Sequence, residues 1–76
     1  MVGQIGMTLK EIGALIQQGM DTKSLNQYQL AEILGYDYSY VNKIVNGKIQ
    51  ASITLYEKIA LELDLVFYIR VPIKKQ

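Results

Sequence analysis

A short stretch of the chain concentrates polar side chains that can form directed hydrogen bonds. Its members supply two hydroxyl groups, a carboxamide and an ammonium group, and they are Tyr38, Ser39, Asn42 and Lys43. Residues 38–48 contain no carboxylate, and the nearest one upstream belongs to Asp37. Hydroxyls, carboxamides and ammonium groups can read the edges of nucleic-acid bases, whereas carboxylates repel phosphate. This chemistry suits a nucleic-acid surface if one helix presents all four side chains together.

The residues before this stretch predict a short helix that ends sharply. Leu30, Ala31 and Leu34 form one apolar face of a helix that begins at Gln27. Ala31 is small enough for a close approach of two helices. Gly35 follows where a sharp turn favours a residue that accepts positive φ. We therefore expect a tight break at Gly35.

A second short helix is expected to begin after this break. Asp37 can cap it, and Val41, Ile44 and Val45 repeat at helical spacing. The pair at 46–47, Asn followed by Gly, readily takes the left-handed conformation beyond a helix end. Because the apolar residues face inward, the four polar residues above fall on the outward face.

Two short helices joined by a turn with glycine make a helix-turn-helix unit, whose second helix can enter the DNA major groove. The same pattern also fits an ordinary helical hairpin, in which Ala31, Gly35, Val41 and Ile44 only pack. The outward face favours the first interpretation, because a solvated structural face usually carries pairs of Glu and Lys and this one has none.

From Leu25 to about Leu63, roughly half its length, the chain resembles the Cro/CI repressor family, also called the XRE family of helix-turn-helix regulators. The resemblance rests on the LNQ-x-x-LA opening at 25–31, the Gly35 turn, the Val41 and Ile44 pair, and the Asn46-Gly47-Lys48 ending. Two positions depart from the family. Val45 stands where many members have Glu, and Ala51 replaces a Pro that is common before the next helix.

The resemblance implies DNA-binding roles for eight residues: Gln27, Tyr38, Ser39, Tyr40, Asn42, Lys43, Asn46 and Lys48. Gln27 would contact a phosphate and support the second helix, which the family uses as its recognition helix. Tyr38, Ser39 and Lys43 match positions that usually reach base edges, with Asn42 close beside them.

The remaining implied roles concern the DNA backbone. Asn26 would cap the first helix of the unit, and Tyr40 would face the groove wall or the backbone. Asn46 and Lys48 match positions whose side chain or backbone amide holds phosphate after the recognition helix. No metal and no cofactor is expected at this surface.

Composition limits the other function classes. The chain has 76 residues, room for one domain with a marginal core, and it contains neither Cys nor His. Disulfides, zinc fingers and the commonest acid-base catalyst are thereby excluded. The Asp and Glu residues are scattered, so no nucleophile-base pair or paired carboxylates can be assembled, and an enzyme is not expected. The aromatic group of Tyr36, Tyr38 and Tyr40 is assigned to turn packing and DNA contact instead of a cofactor site.

The net charge is only +1, which is low for a nucleic-acid-binding protein. The acids Glu57, Glu62 and Asp64 lie late in the chain, while Lys43 and Lys48 flank the recognition helix. A local positive surface can coexist with a nearly neutral total, so we expect modest non-specific affinity. The sequence shows no membrane span and no signal peptide, and a cytoplasmic location is expected.

Two further helices are expected around the unit. Thr8 and Glu11 form a capping box for a first helix that Gly19 ends, with a polar loop over 20–25. Its inward stripe comprises Leu9, Ile12, Leu15 and Ile16. Gly13 within this helix indicates close packing. A fourth helix, capped by Ser52 or Thr54, has the core stripe Ile53, Tyr56, Ile59, Ala60 and Leu63.

The segment 65–71 has the alternation of a β-strand, with apolar residues on one face: Leu65, Phe67, Ile69 and Val71. No second strand is evident, so we expect it to pair antiparallel with the same strand of another copy. Two alternatives are an extra helical turn packed on the core and a pairing with the arm near 2–5. Some antitoxins and regulators of the family close a dimer with such a strand.

The expected fold is mainly α, a four-helix lambda-repressor-like helix-turn-helix domain followed by one strand that pairs between subunits. The expected divisions are an N-terminal arm at 1–7, the DNA-binding domain at 8–64, the dimerisation strand at 65–72 and a basic tail at 73–76. The expected function is a homodimeric transcription regulator, a repressor, that binds double-stranded DNA at an inverted repeat. The alternative is an antitoxin-like module that neutralises a partner protein, such as a toxin, and regulates its own operon.

Overall fold

Four α-helices make up the part of the protein that the structure, a computed structural model, describes, namely residues 7–67. Their bounds are α1 Leu9–Thr22, α2 Gln27–Leu34, α3 Tyr38–Val45 and α4 Ile53–Leu63. Residues 1–6 of the predicted arm, residues 68–72 of the predicted dimerisation strand and the tail at 73–76 lie outside the described residues. The predicted mainly α, four-helix fold is confirmed.

All four helices contribute to one apolar core. Its largest fully buried side chains are Tyr56, Ile16, Met20, Leu30, Ile44, Leu55, Ile59 and Val41. Burial of such side chains stabilises each by roughly 1.5–3 kcal/mol, which explains why three short helices of 8 to 11 residues hold their positions. None of the helices in residues 7–67 has the length and apolar character that crossing a membrane requires.

Helix α1 begins as predicted but ends later. Thr8 and Glu11 form the expected capping box. The helix continues to Thr22, so the prediction that Gly19 ends it was wrong. Gly19 instead permits a close contact with the end of α4, because a Cβ atom there would lie 3.1 Å from Leu63 Cβ. The predicted loop residue Met20 is consequently buried in the core.

Close packing at Gly13 sets the distance between α1 and α3. A Cβ atom at Gly13 would lie 2.1 Å from the carbonyl oxygen of Val45, at the last residue of α3. Only a residue without a side chain allows the two backbones to approach this closely. The predicted role of Gly13 in packing is confirmed, and α1 thereby positions the C-terminal end of α3.

The predicted turn between α2 and α3 is confirmed in each detail. Asn26 caps α2, and Gly35 ends that helix with φ of 76°, in the left-handed region. The backbone N–H groups of Gly35 and Tyr36 both donate to the carbonyl of Ala31, at 2.9 and 3.0 Å. Asp37 then caps α3. These bonds satisfy the free backbone groups at the end of α2 and direct the chain into α3.

Helix α4 is capped by Ser52, the first of the two predicted caps, and Thr54 lies within its first turn. Ser52 is its N-cap and accepts from the backbone N–H of Leu55 at 3.1 Å. From this start, Leu55 faces the core whereas Ile53 is 47% exposed. The prediction of Ile53 as a core residue was therefore wrong, and Leu55 takes that place. Tyr56, Ile59 and Leu63 are buried as predicted, and Ala60 is half-buried.

The chain beyond α4 continues along the core. Leu65 and Phe67 are half-buried against it, and the Phe67 ring meets the Tyr56 ring edge-on with centroids 5.7 Å apart. Residues 65–67 form no strand, and the described part of the chain holds no strand for them to pair with. The remainder of the predicted strand lies outside the described residues, so the pairing stays a prediction.

Candidate nucleic-acid interface

Helix α3 separates its inward and outward faces as its sequence pattern predicts. Val41, Ile44 and Val45 are buried, whereas Ser39 and Lys43 are exposed. Three further candidates are half-buried because they contact neighbouring side chains: Tyr38, Tyr40 and Asn42. Gln27 is also half-buried, and Asn46 and Lys48 are exposed.

Three carboxamide side chains form a connected series across α2 and α3. Asn42 Nδ2 donates to Gln27 Oε1 at 2.8 Å, and Asn46 Nδ2 donates to Asn42 Oδ1 at 3.2 Å. Both carboxamide groups of the Gln27 and Asn42 pair are oriented by this contact. Gln27 uses its oxygen here, which leaves its Nε2 hydrogens as the groups that can donate to a phosphate.

The backbone after α3 is already saturated with internal hydrogen bonds. The N–H groups of Asn46, Gly47 and Lys48 donate to the carbonyls of Asn42, Ile44 and Lys43, at 2.9 to 3.0 Å. A phosphate beside this turn would therefore have to be held by side chains. The resemblance left open whether the side chain or the backbone amide does this, and the geometry favours the Lys48 ammonium group and the Asn46 carboxamide.

The tyrosines form two stacked pairs instead of the one cluster that the sequence suggested. Tyr38 lies parallel to Tyr28, with ring centroids 4.0 Å apart and an angle of 7° between the ring planes. Tyr36 stacks on Tyr40 at 5.5 Å and 25°. Sequence analysis missed Tyr28, and its only signal was an aromatic residue beside Gln27 at the start of α2.

The carboxylate of Asp37 accepts two hydrogen bonds from Ser39 at the start of α3. Ser39 donates to it with its hydroxyl group, and with its backbone N–H at 3.2 Å. These bonds hold the pKa of Asp37 below its ordinary value, with the hydroxyl contributing most. The Ser39 hydroxyl therefore uses its hydrogen and keeps its lone pairs for accepting, which suits the exocyclic amino group of adenine or cytosine.

The fold and this surface together define a helix-turn-helix domain with a polar, lysine-bearing recognition helix. A family model described as helix-turn-helix matches residues 16–66, about two thirds of the chain. The chain therefore belongs to this family, the Cro/CI or XRE helix-turn-helix regulators. No curated protein sequence matches it significantly. Family membership makes the chain a DNA-binding transcription regulator.

Proposed function

We propose that this protein is a repressor that binds double-stranded DNA sequence-specifically, as a homodimer, at an inverted-repeat operator. The observation that carries the proposal is the outward face of α3, which bears Ser39 and Lys43 exposed beside a half-buried Tyr38. No carboxylate interrupts residues 38–48. Repression requires only that the bound protein occupies DNA that polymerase needs, so a small binding domain suffices.

Base recognition is assigned to the first part of α3. Lys43 would donate to a guanine edge, and Ser39 would accept from an amino group, because its own hydrogen is used by Asp37. Tyr38 would contact a third base through its ring edge and hydroxyl. Asn42 would lie beside these residues and support them. Its carboxamide already forms hydrogen bonds with Gln27 and Asn46.

Phosphate contacts are assigned to both ends of the unit. Gln27 would donate its Nε2 hydrogens to one phosphate while its oxygen holds Asn42 in place. Asn46 and Lys48 would hold a second phosphate beyond the end of α3, and Tyr40 would lie against the backbone. Two or three such contacts on a chain of net charge +1 give little non-specific binding, so most affinity must come from the correct sequence.

A dimer is proposed because one short recognition helix reads only a few base pairs. Two copies would place their α3 helices in successive major grooves, about 34 Å apart. The proposed contact uses the strand residues Leu65, Phe67, Ile69 and Val71. Apolar side chains remain exposed at this end of the domain, since Leu61 is 81% exposed and Val66, on the opposite face of the predicted strand, is 68% exposed.

The test of DNA recognition is selection of bound duplexes from a randomised pool at physiological salt, where non-specific phosphate binding is weak. The expected result is an enriched inverted repeat with half-sites about one helical turn apart. Folded protein that enriches no sequence would overturn the proposal. A single enriched half-site would retain recognition and overturn the dimer.

The dimer itself is tested by sedimentation of the full chain. On the strand prediction Ile69 lies on the apolar face that covers the helices of both subunits, and Tyr68 lies on the opposite face, so Ile69→Asp should yield monomers and Tyr68→Asp should not. A wild-type monomer would overturn the homodimer and favour the antitoxin-like alternative, in which the same segment binds a different protein.

A further inference from the structure

Tyr28 is a large aromatic residue that the proposed contacts leave without a role. It lies in the first turn of α2 and is 66% exposed. Its ring covers the ring of Tyr38 almost in parallel, with centroids 4.0 Å apart and 7° between the planes. This stacking joins the exposed Tyr28 ring of α2 to α3.

The stack restricts the movement of Tyr38. A tyrosine at the start of a helix can sample several χ1 rotamers, and each places the hydroxyl group at a different point. Tyr38 contacts the core on one part of its surface and Tyr28 on another. These two contacts together favour one rotamer before any ligand arrives. A side chain that is already ordered loses less entropy on binding.

The two tyrosine pairs differ in their closeness. Tyr36 and Tyr40 have centroids 5.5 Å apart and planes tilted by 25°, so their rings overlap less than those of Tyr28 and Tyr38. Tyr36 is 42% exposed and provides a comparable exposed ring on the same unit. The closer pair lies beside the predicted base contacts of α3, where the direction of a phenol hydroxyl decides which base edge it meets.

We propose that Tyr28 is a positioning residue for base recognition, whose stacked ring fixes Tyr38 in the orientation that reads its base pair. This inference rests on the proposed function, because it requires that α3 reads DNA. It assigns a share of sequence specificity to a residue of α2 that faces α3 across the turn. Tyr28 acts through its ring, and its own hydroxyl is not required.

The experiment compares duplex selection by the wild type and by Tyr38→Ala, Tyr28→Ala and Tyr28→Phe. Tyr38→Ala identifies the base pair that Tyr38 reads, as the position whose preference disappears. Tyr28→Ala should lower the preference at that same position by about two- to tenfold, the range expected from an aromatic pair. Tyr28→Phe keeps the ring and should retain the wild-type preference at that position. Tyr36→Ala, which removes an exposed ring from the other pair, should leave the base preference at that position unchanged.

A spectroscopic measurement on the free protein tests the stack directly. The ring-proton chemical shifts of Tyr38 should move in Tyr28→Ala and stay near their wild-type values in Tyr28→Phe. Unmoved shifts in Tyr28→Ala would overturn the inference, as would a wild-type preference in that variant. Equal weakening of Tyr28→Ala and Tyr28→Phe on all duplexes would also overturn it, since the hydroxyl would then hold phosphate. If the wild type enriches no sequence, the proposed function fails, and this role fails with it.

Discussion

Asn42 on α3 donates a hydrogen bond of 2.8 Å to Gln27 on α2, and this bond joins the two helices at the surface proposed to meet DNA. It couples a residue assigned to phosphate with a residue beside the base contacts. Because each partner orients the other, the contribution of either one to DNA affinity should depend on whether the other is present.

A double-mutant cycle on Gln27→Ala and Asn42→Ala should therefore show non-additive losses of DNA affinity. The coupling free energy is expected at about 0.5–1.5 kcal/mol, the net contribution of one hydrogen bond. Affinities would be measured on the selected operator. Pairing Gln27→Ala with Glu57→Ala, an exposed residue of α4, provides the additive control. Additive losses at Gln27 and Asn42 would show that the bond does not contribute to the bound state.

Lys43 and Lys48 should contribute differently to DNA binding, one to sequence preference and the other to general affinity. Lys43→Ala should cost about 1–3 kcal/mol at one base position and relax the sequence preference there. Lys48→Ala should weaken binding to all duplexes alike and lower the salt dependence by about one counterion. Competition binding at several salt concentrations would separate the two effects.

The matched control for both variants is Lys58→Ala, which removes the same charge from an exposed position of α4. It should change neither the sequence preference nor the salt dependence. Uniform weakening by Lys43→Ala would place Lys43 on phosphate instead of a base.

Gly13→Ala should destabilise the domain although alanine is the better helix former. Its Cβ atom would lie 2.1 Å from the Val45 carbonyl oxygen, so α1 and α3 must separate. We expect a loss of about 1–3 kcal/mol in the free energy of unfolding, measured by urea denaturation. The neighbouring change Ala14→Gly, at an exposed site, calibrates helix propensity alone at about 0.5–1 kcal/mol. A more stable Gly13→Ala protein would contradict the close approach.

The local signals of the helix-turn-helix unit were sufficient to predict it from sequence. Asn26, Gly35 and Asp37 each act on backbone groups within four residues of themselves, so their roles do not depend on distant parts of the fold. Gly19 shows the opposite case. A glycine can end a helix or allow a close contact, and the choice here is set by Leu63 and Leu65, which are far away in the sequence.

The candidate site was predictable only in part. A resemblance supplies residues position by position, and all eight named in this way lie on α2, on α3 or in the turn after α3. It cannot supply contacts that depend on the angle between two helices. The stacking of Tyr28 on Tyr38 is such a contact, as is the bond from Asn42 to Gln27. Both bring together residues that are 10 or more positions apart.

Tyr56→Phe should destabilise the connection between α3 and α4. Tyr56 is 1% exposed, and its hydroxyl oxygen accepts from the backbone N–H of Ala51 at 3.1 Å. Removing the hydroxyl leaves a buried N–H without a partner, which costs about 1–3 kcal/mol. Thermal unfolding would measure the loss, and amide hydrogen exchange at Ala51 should accelerate. Tyr36→Phe, at a partly exposed site, should change stability by less than about 0.5 kcal/mol.

The bonds from Ser39 to Asp37 make the stability of α3 depend on pH. Because they favour the charged carboxylate, the pKa of Asp37 lies below its ordinary value of 3.8 in the folded protein. A lowered pKa means that the unfolded chain binds the proton more readily. The stabilisation is therefore complete above the ordinary value and is lost as the pH falls below it, through the folded pKa.

Asp37→Asn should remove this dependence while keeping an N-cap, since asparagine also accepts hydrogen bonds from the first turn. Above about pH 5, where an ordinary carboxyl group is charged, the variant should unfold at a lower temperature than the wild type. That difference should shrink as the pH falls below 3.8. Thermal unfolding by circular dichroism from pH 2.5 to 7 would measure it. Ser39→Ala, which removes the principal donor, should reduce the same pH dependence. If the difference between the wild type and Asp37→Asn stays constant over the whole pH range, the stabilisation comes from capping alone.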